Sequence, residues 1–257
     1  MRKLNVRWLG NLPYSEALIL QKGLKDSVSG EYNPYDYLLL LEHNNVITIG
    51  RTGDPNNLLF NSSELQEKGI EFFETDRGGD VTFHGKGQLI GYPIIRLHDP
   101  KKVIPFVRSL EETIIKTLNS FNIDAFSKDD DTGVWTQKGK IASIGVKVSK
   151  WTTYHGFSLN IFDKLEGFNL INPCGNQDEK IAAVHTFNTE ISFDDVVSKI
   201  TETFSSEFGY EDVGIQMSQF TPTQLKKHKK HEIDEMLDKG VFQKNNNIVP
   251  ITIKGLL

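Results

Sequence analysis

The chain has 257 residues, 38% of them hydrophobic and 25% charged, so it is long enough to bury a sizeable core. One cysteine, Cys174, rules out an internal disulfide framework or a Cys-rich zinc site. Lys+Arg of 29 against Asp+Glu of 34 leave a net charge of −5, with no broad positive field to hold nucleic acid or anionic lipid. A mean hydropathy of −0.36, with no apolar run approaching ~18 residues, argues against a membrane span.

At the start, Asn11, Pro13 and Glu16 interrupt the apolar stretch, so the segment does not read as a signal peptide and a cytoplasmic protein is expected. Ser15 precedes a helical pattern with Ala17, Leu20, Leu24 and Val28 on one face. DYLLLLEH and VITIG read as strands broken at Asn44-Asn45, the first apolar on both faces and hence buried. A short helix opens near Ser62. EFFETD, DVTFHG and QLIGYPIIRL then suggest a β meander punctuated by Gly78-Gly79, Gly85 and Gly87.

Further on, Phe106 or Val107, Leu110, Ile114, Leu118 and Phe121 form the stripe of a long helix that should pack on a sheet. GVWTQ, KIASIGVKVS and TTYHGFSLNI are strand-like, and the short Ser149-Lys150-Trp151 connection makes the last two an antiparallel hairpin. Ser192, with Asp195 three residues later, caps a helix carrying Val196 or Val197, Ile200, Phe204 and Phe208. Residues 1–210 thus read as one α+β unit. Residues 211–257 read as an appended element with a charged helix, QLKKHKKHEIDEMLDKG; His228 and His231 within it are expected on a solvated face.

Three segments carry candidate chemistry. RGGDVTFHGKGQ packs four glycines and a histidine into twelve residues, which fits a glycine-bent hairpin or a backbone open to close ligand approach. It lacks the G-x-x-x-x-G-K-[ST] pattern of a P-loop, and it is not a dinucleotide fingerprint, because Ile90 stands where the third glycine would fall. In KGKIASIG, Lys140 enters a strand, where a solvated edge charge is the ordinary explanation. In NPCG, proline and glycine hold the Cys174 thiol on a turn, which suits a packed thiol or a reactive one.

Together these segments resemble the octanoyltransferase family, also called lipoate-protein ligase B. RGGDVTFHGKGQLIGYP resembles its glycine-rich signature, GVWTQKGKIASIGVKV its lysine segment, YHGFSLNI its following strand and INPCG its cysteine turn. The resemblance implies a biotin/lipoate protein ligase-like fold: a larger, mixed, mostly antiparallel sheet plus a smaller one, flanked by helices. It implies transfer of an octanoyl group from octanoyl-acyl carrier protein to a lysine of lipoyl domains, with no cofactor and no metal. The acceptors would be lipoyl domains of 2-oxoacid dehydrogenase complexes and the glycine cleavage H protein.

Carried over residue by residue, Cys174 would be the acyl-thioester nucleophile and Lys140 its proton partner. The substrate-binding segments would be Arg77, Gly78, Gly79, Asp80, Val81, Thr82, Phe83 and His84, then Ser143, Ile144 and Gly145, then Gly156, Phe157 and Ser158. Lys86 and Ser158 stand where the family usually has proline and alanine. Oxyanion donors could come from Gly78-Gly79 or from Ser143 to Gly145. Two other functions compete: an ATP-dependent lipoate or biotin ligase, which needs no cysteine in an INPCG turn, and an inactive module that binds acyl groups or carrier protein.

Overall fold

The computed structural model describes residues 2–30, 33–97, 99–162, 165–173 and 179–217. Two sheets organise it. The larger takes, in chain order, β1 (Lys3–Asn11), β2 (Tyr35–Glu42), β6 (Gln88–Ile94), β7 (Gly133–Thr136), β8 (Gly139–Ser149), β9 (Thr152–Asn160) and β10 (Val213–Met217). Their spatial order is β10-β1-β2-β6-β9-β8-β7. The smaller joins β3 (Val46–Ile49), β4 (Glu71–Glu74) and β5 (Val81–His84) in the order β4-β3-β5. β1 pairs parallel with β2 and β10, while the other large-sheet pairs are antiparallel. The architecture is the mixed, mostly antiparallel α+β arrangement expected from the sequence.

Each face of the large sheet is covered by different elements. Helix α1 (Tyr14–Val28) buries Ala17, Leu20, Leu24 and Val28 against Leu39, Leu41, Ile90 and Ile94, as its spacing requires. It begins at Tyr14, one residue before Ser15, with Pro13 at the N-cap and no side-chain cap. Helices α3 (Val103–Ser120) and α4 (Phe193–Glu207) cover the opposite face, with Leu110, Ile114, Leu118, Ile200 and Phe204 fully buried. Ser192 caps α4 through the reciprocal Asp195 box that the sequence signals. The β8–β9 hairpin turns on Lys150 and Trp151, at φ 50° and 61°, a pair of left-handed residues that matches the strand twist.

Three expectations change. The meander does not form: β3 lies between β4 and β5 in the small sheet, and β6 joins β2 and β9 in the large one. The break at Asn44-Asn45 sends the chain into a second sheet, and α2 (Ser62–Glu67) lies in the crossover that makes β3 and β4 parallel. The strand β1 was unread, although Leu4, Val6 and Trp8 alternate along it. Just beyond the expected boundary at 210/211, Val213–Met217 forms an edge strand on β1. The charged segment with His228 and His231 lies outside the described residues. Among the described residues, no helix is long and apolar enough to cross a membrane.

Candidate active site

A cavity of about 350 Å³ lies between the small sheet, with its 77–80 loop, and strands β6, β8 and β9 of the large sheet. The loop is clamped from within. Arg77 donates from Nε to Thr48 Oγ1 at 3.0 Å and from Nη2 to the backbone oxygens of Thr48, at 2.7 Å, and Asp80, at 2.6 Å. The Asp80 carboxylate accepts from Asp54 N at 3.0 Å and from Asn57 Nδ2 at 2.5 Å. The loop then crosses β8 so closely that a Cβ on Gly145 would come within 2.7 Å of Gly78 O. The Gly78 N–H donates to Val146 O at 3.0 Å, which removes it from the candidate oxyanion donors.

Lys140 reaches the cavity through a backbone irregularity. Val134 pairs with Ala142 and Trp135 with Lys140, so Ile141 is an extra residue on β8. In an unbroken strand Lys140 would share the face of Ala142, which belongs to the core under α3 and α4. The bulge turns it instead to the cavity, alongside Ser143. Only 5% of Lys140 is exposed; its Nζ lies 3.6 Å from Asp131 Oδ2 and 4.6 Å from the centroid of the Trp135 ring. The start of β7 is pinned by buried Glu111 of α3, which accepts from Gly133 N at 3.1 Å and pairs with Arg108 at 2.8 Å.

The cavity also has a neutral polar wall lined by Tyr14, His84, Tyr92 and His155. Behind it, His43 places Nδ1 2.6 Å from Leu12 O and Nε2 2.8 Å from the Tyr92 hydroxyl. A carbonyl only accepts, so Nδ1 carries the proton and the tyrosine donates to Nε2. Burial pushes the His43 pKa down to about 4. His155, at φ 56°, places Nε2 3.0 Å from Asp76 Oδ1, and Tyr154 donates to the same carboxylate. Burial outweighs that carboxylate and lowers the His155 pKa to about 4. His84 is driven well below its ordinary value, by burial first and then by His43 and Arg77, and its Nδ1 has no partner among the described residues.

With this geometry in view, the comparisons with known proteins are specific. The model of the lipoyl protein ligase A/B catalytic domain matches residues 13–205, a span that holds both sheets except β1 and β10. The chain belongs to this family. Among its relatives are octanoyltransferases from Solibacter usitatus, 43% identical over 82% of this chain and 96% of that one, and Clostridium kluyveri, 42% identical over 81% and 90%. The chain is an enzyme of the acyltransferase class to which they belong. A bi-partite lipoate protein ligase from Thermoplasma acidophilum, solved in a study that includes its E2 lipoyl domain, shares the fold at a TM-score of 0.71. Its identity is 16%, over 93% of each chain.

Within this ligase A/B fold, Lys140 and the residues expected from the glycine, lysine and following-strand segments line this cavity, with one exception. Phe83 is not among the lining residues. Strand alternation turns it into the small-sheet core, where its ring meets Phe168 edge-on at 5.7 Å. Cys174 lies outside the described residues; Pro173, directly before it, lines the cavity. Sequence reading missed Tyr14, Tyr92, Asp131, Trp135 and His155. Of these, only the acidic run before GVW and the histidine in YHG gave a local signal.

Proposed function

We propose that this acyltransferase moves an octanoyl group from octanoyl-acyl carrier protein to a lysine of lipoyl domains, through a thioester on Cys174. The observation that carries the reading is Lys140, buried yet turned into a cavity that Pro173 also lines. An ammonium beside a thiol favours the thiolate, the nucleophilic form. The Cys174 sulfur attacks the donor thioester carbonyl, the donor carbon–sulfur bond breaks, and the Lys140 ammonium protonates the departing thiolate. The neutral amine left on Lys140 then takes a proton from the acceptor nitrogen as that nitrogen attacks the acyl-enzyme. Cysteine leaves as thiolate beside a restored ammonium, so the protons balance over the cycle.

The donor is already a thioester, so the first exchange needs no nucleotide, and formation of the amide drives the second. The 42–43% identical relatives named octanoyltransferase support this reading over an ATP-dependent ligase. The 2-oxoacid dehydrogenase lipoyl domains and the glycine cleavage H protein are the acceptors it implies. Incubation of the full chain with octanoyl-acyl carrier protein and no nucleotide, followed by intact-mass measurement, tests it. A hydroxylamine-labile octanoyl adduct is expected on the wild type and not on Cys174→Ser. Transfer without the adduct, or strict dependence on ATP and free acid, overturns it.

A further inference from the structure

Trp135 is buried to 2% exposure on β7, yet much of what its ring faces is charge. The Lys140 Nζ lies 4.6 Å from the ring centroid and the Lys128 Nζ 4.3 Å. At the ring edge, Nε1–H donates to Glu179 Oε1 at 3.1 Å. A core tryptophan kept only for packing would set its face against aliphatic carbon. Indole has the most electron-rich face of the aromatic side chains, and a carboxylate on its N–H polarises it further in the same direction.

The surroundings are shaped for the lysine stem. Gly133 sits at φ 152°, and a Cβ there would meet Lys140 Cε at 2.9 Å and the Trp135 ring at 3.2 Å. The bulge at Ile141 brings Lys140 level with Trp135 across the β7–β8 ladder. Asp131, 3.6 Å from Nζ, holds the ammonium from the cavity side.

We propose that Trp135 is a positioning residue for acyl transfer: its indole face, enriched by Glu179, holds the Lys140 ammonium where it serves the cavity. The proposal rests on the reading of Lys140 as the proton carrier. It has a distinctive consequence, because an attraction to the ring quadrupole depends on the ring's electron density and not on its size. Replacing Trp135 alone by singly, doubly and triply fluorinated tryptophan keeps the shape and drains the face step by step.

The measurement is the single-turnover rate of octanoyl transfer from octanoyl-acyl carrier protein to the full-length enzyme. The logarithm of the rate is expected to fall with each fluorine, by roughly 2- to 30-fold across the series. The KM for the donor and the melting temperature should hold steady. Trp135→Phe should lose less than Trp135→Leu. A flat series with an intact fold overturns the proposal. Lys140→Ala, run in parallel, separates the two failures: if it keeps the rate, the reading of Lys140 falls; if it loses the rate while the series stays flat, only the role of Trp135 falls.

Discussion

At the β7–β8 edge, Lys140 sits with the Asp131 carboxylate and the Trp135 face, whereas on the wall toward α1, His43, His84 and His155 are stripped of water and pushed toward their neutral forms. Both groups belong to one small pocket or its backing. What differs is the company each side chain has. A buried cation needs a counter-charge or an electron-rich ring, while a buried imidazole can shed its proton and satisfy neutral hydrogen bonds instead. One cavity thereby holds a paired lysine at one place and a wall of neutral imidazoles at another.

The largest expected effect sharpens the neutral side of this contrast. His43 has a folded pKa of about 4, below the ordinary value of 6.5, so its stabilising contribution is present above pH ~6.5 and is lost as pH falls toward 4. That share is on the order of 3 kcal/mol, with His155 adding in the same direction. Unfolding of wild type and His43→Gln, followed from pH 7 to pH 4, should show a shallower fall in the variant. Parallel curves would contradict a neutral, buried His43.

A second test breaks the seam between the two sides. Gly145→Ala places a methyl 2.7 Å from Gly78 O, a backbone atom with no side-chain freedom to yield. A loss of about 1–3 kcal/mol in urea unfolding is expected, together with weakened octanoyl transfer as the 77–80 loop lifts. The smallest effect is expected at the charged rim. The Asp131 side chain is 35% exposed and 3.6 Å from Lys140, so Asp131→Asn should cost under about 1 kcal/mol in the same measurement. A larger loss would show that the carboxylate, and not the Trp135 face, dominates the hold on Lys140.

Several features were legible because they are local. The apolar periods of α1, α3 and α4 follow from 3.6-residue geometry, and the β8–β9 hairpin from a two-residue turn between alternating strands. The RGGDVTFHGKGQ, KGKIASIG and NPCG segments carried the family resemblance in their order and residue types, and the expected residues of the first two line the cavity except Phe83, while Cys174 lies outside the described residues. The membership of β3 in a second sheet, the parallel pairing of β1 with β2 and β10, and the Phe83 orientation were decided by partners far away in sequence.

The same division holds at the site. Sequence alone determined which groups can carry the chemistry, since a lysine and a cysteine keep their reactivity types wherever they lie. Tertiary structure decided that an extra residue at Ile141 turns Lys140 from the helix-covered core to the cavity, and that Asp131 and Trp135 meet it there. It also decided that three histidines lose their water. Solvation, register and charge pairing depend on which strands and loops come together, and no short stretch of sequence contains that information.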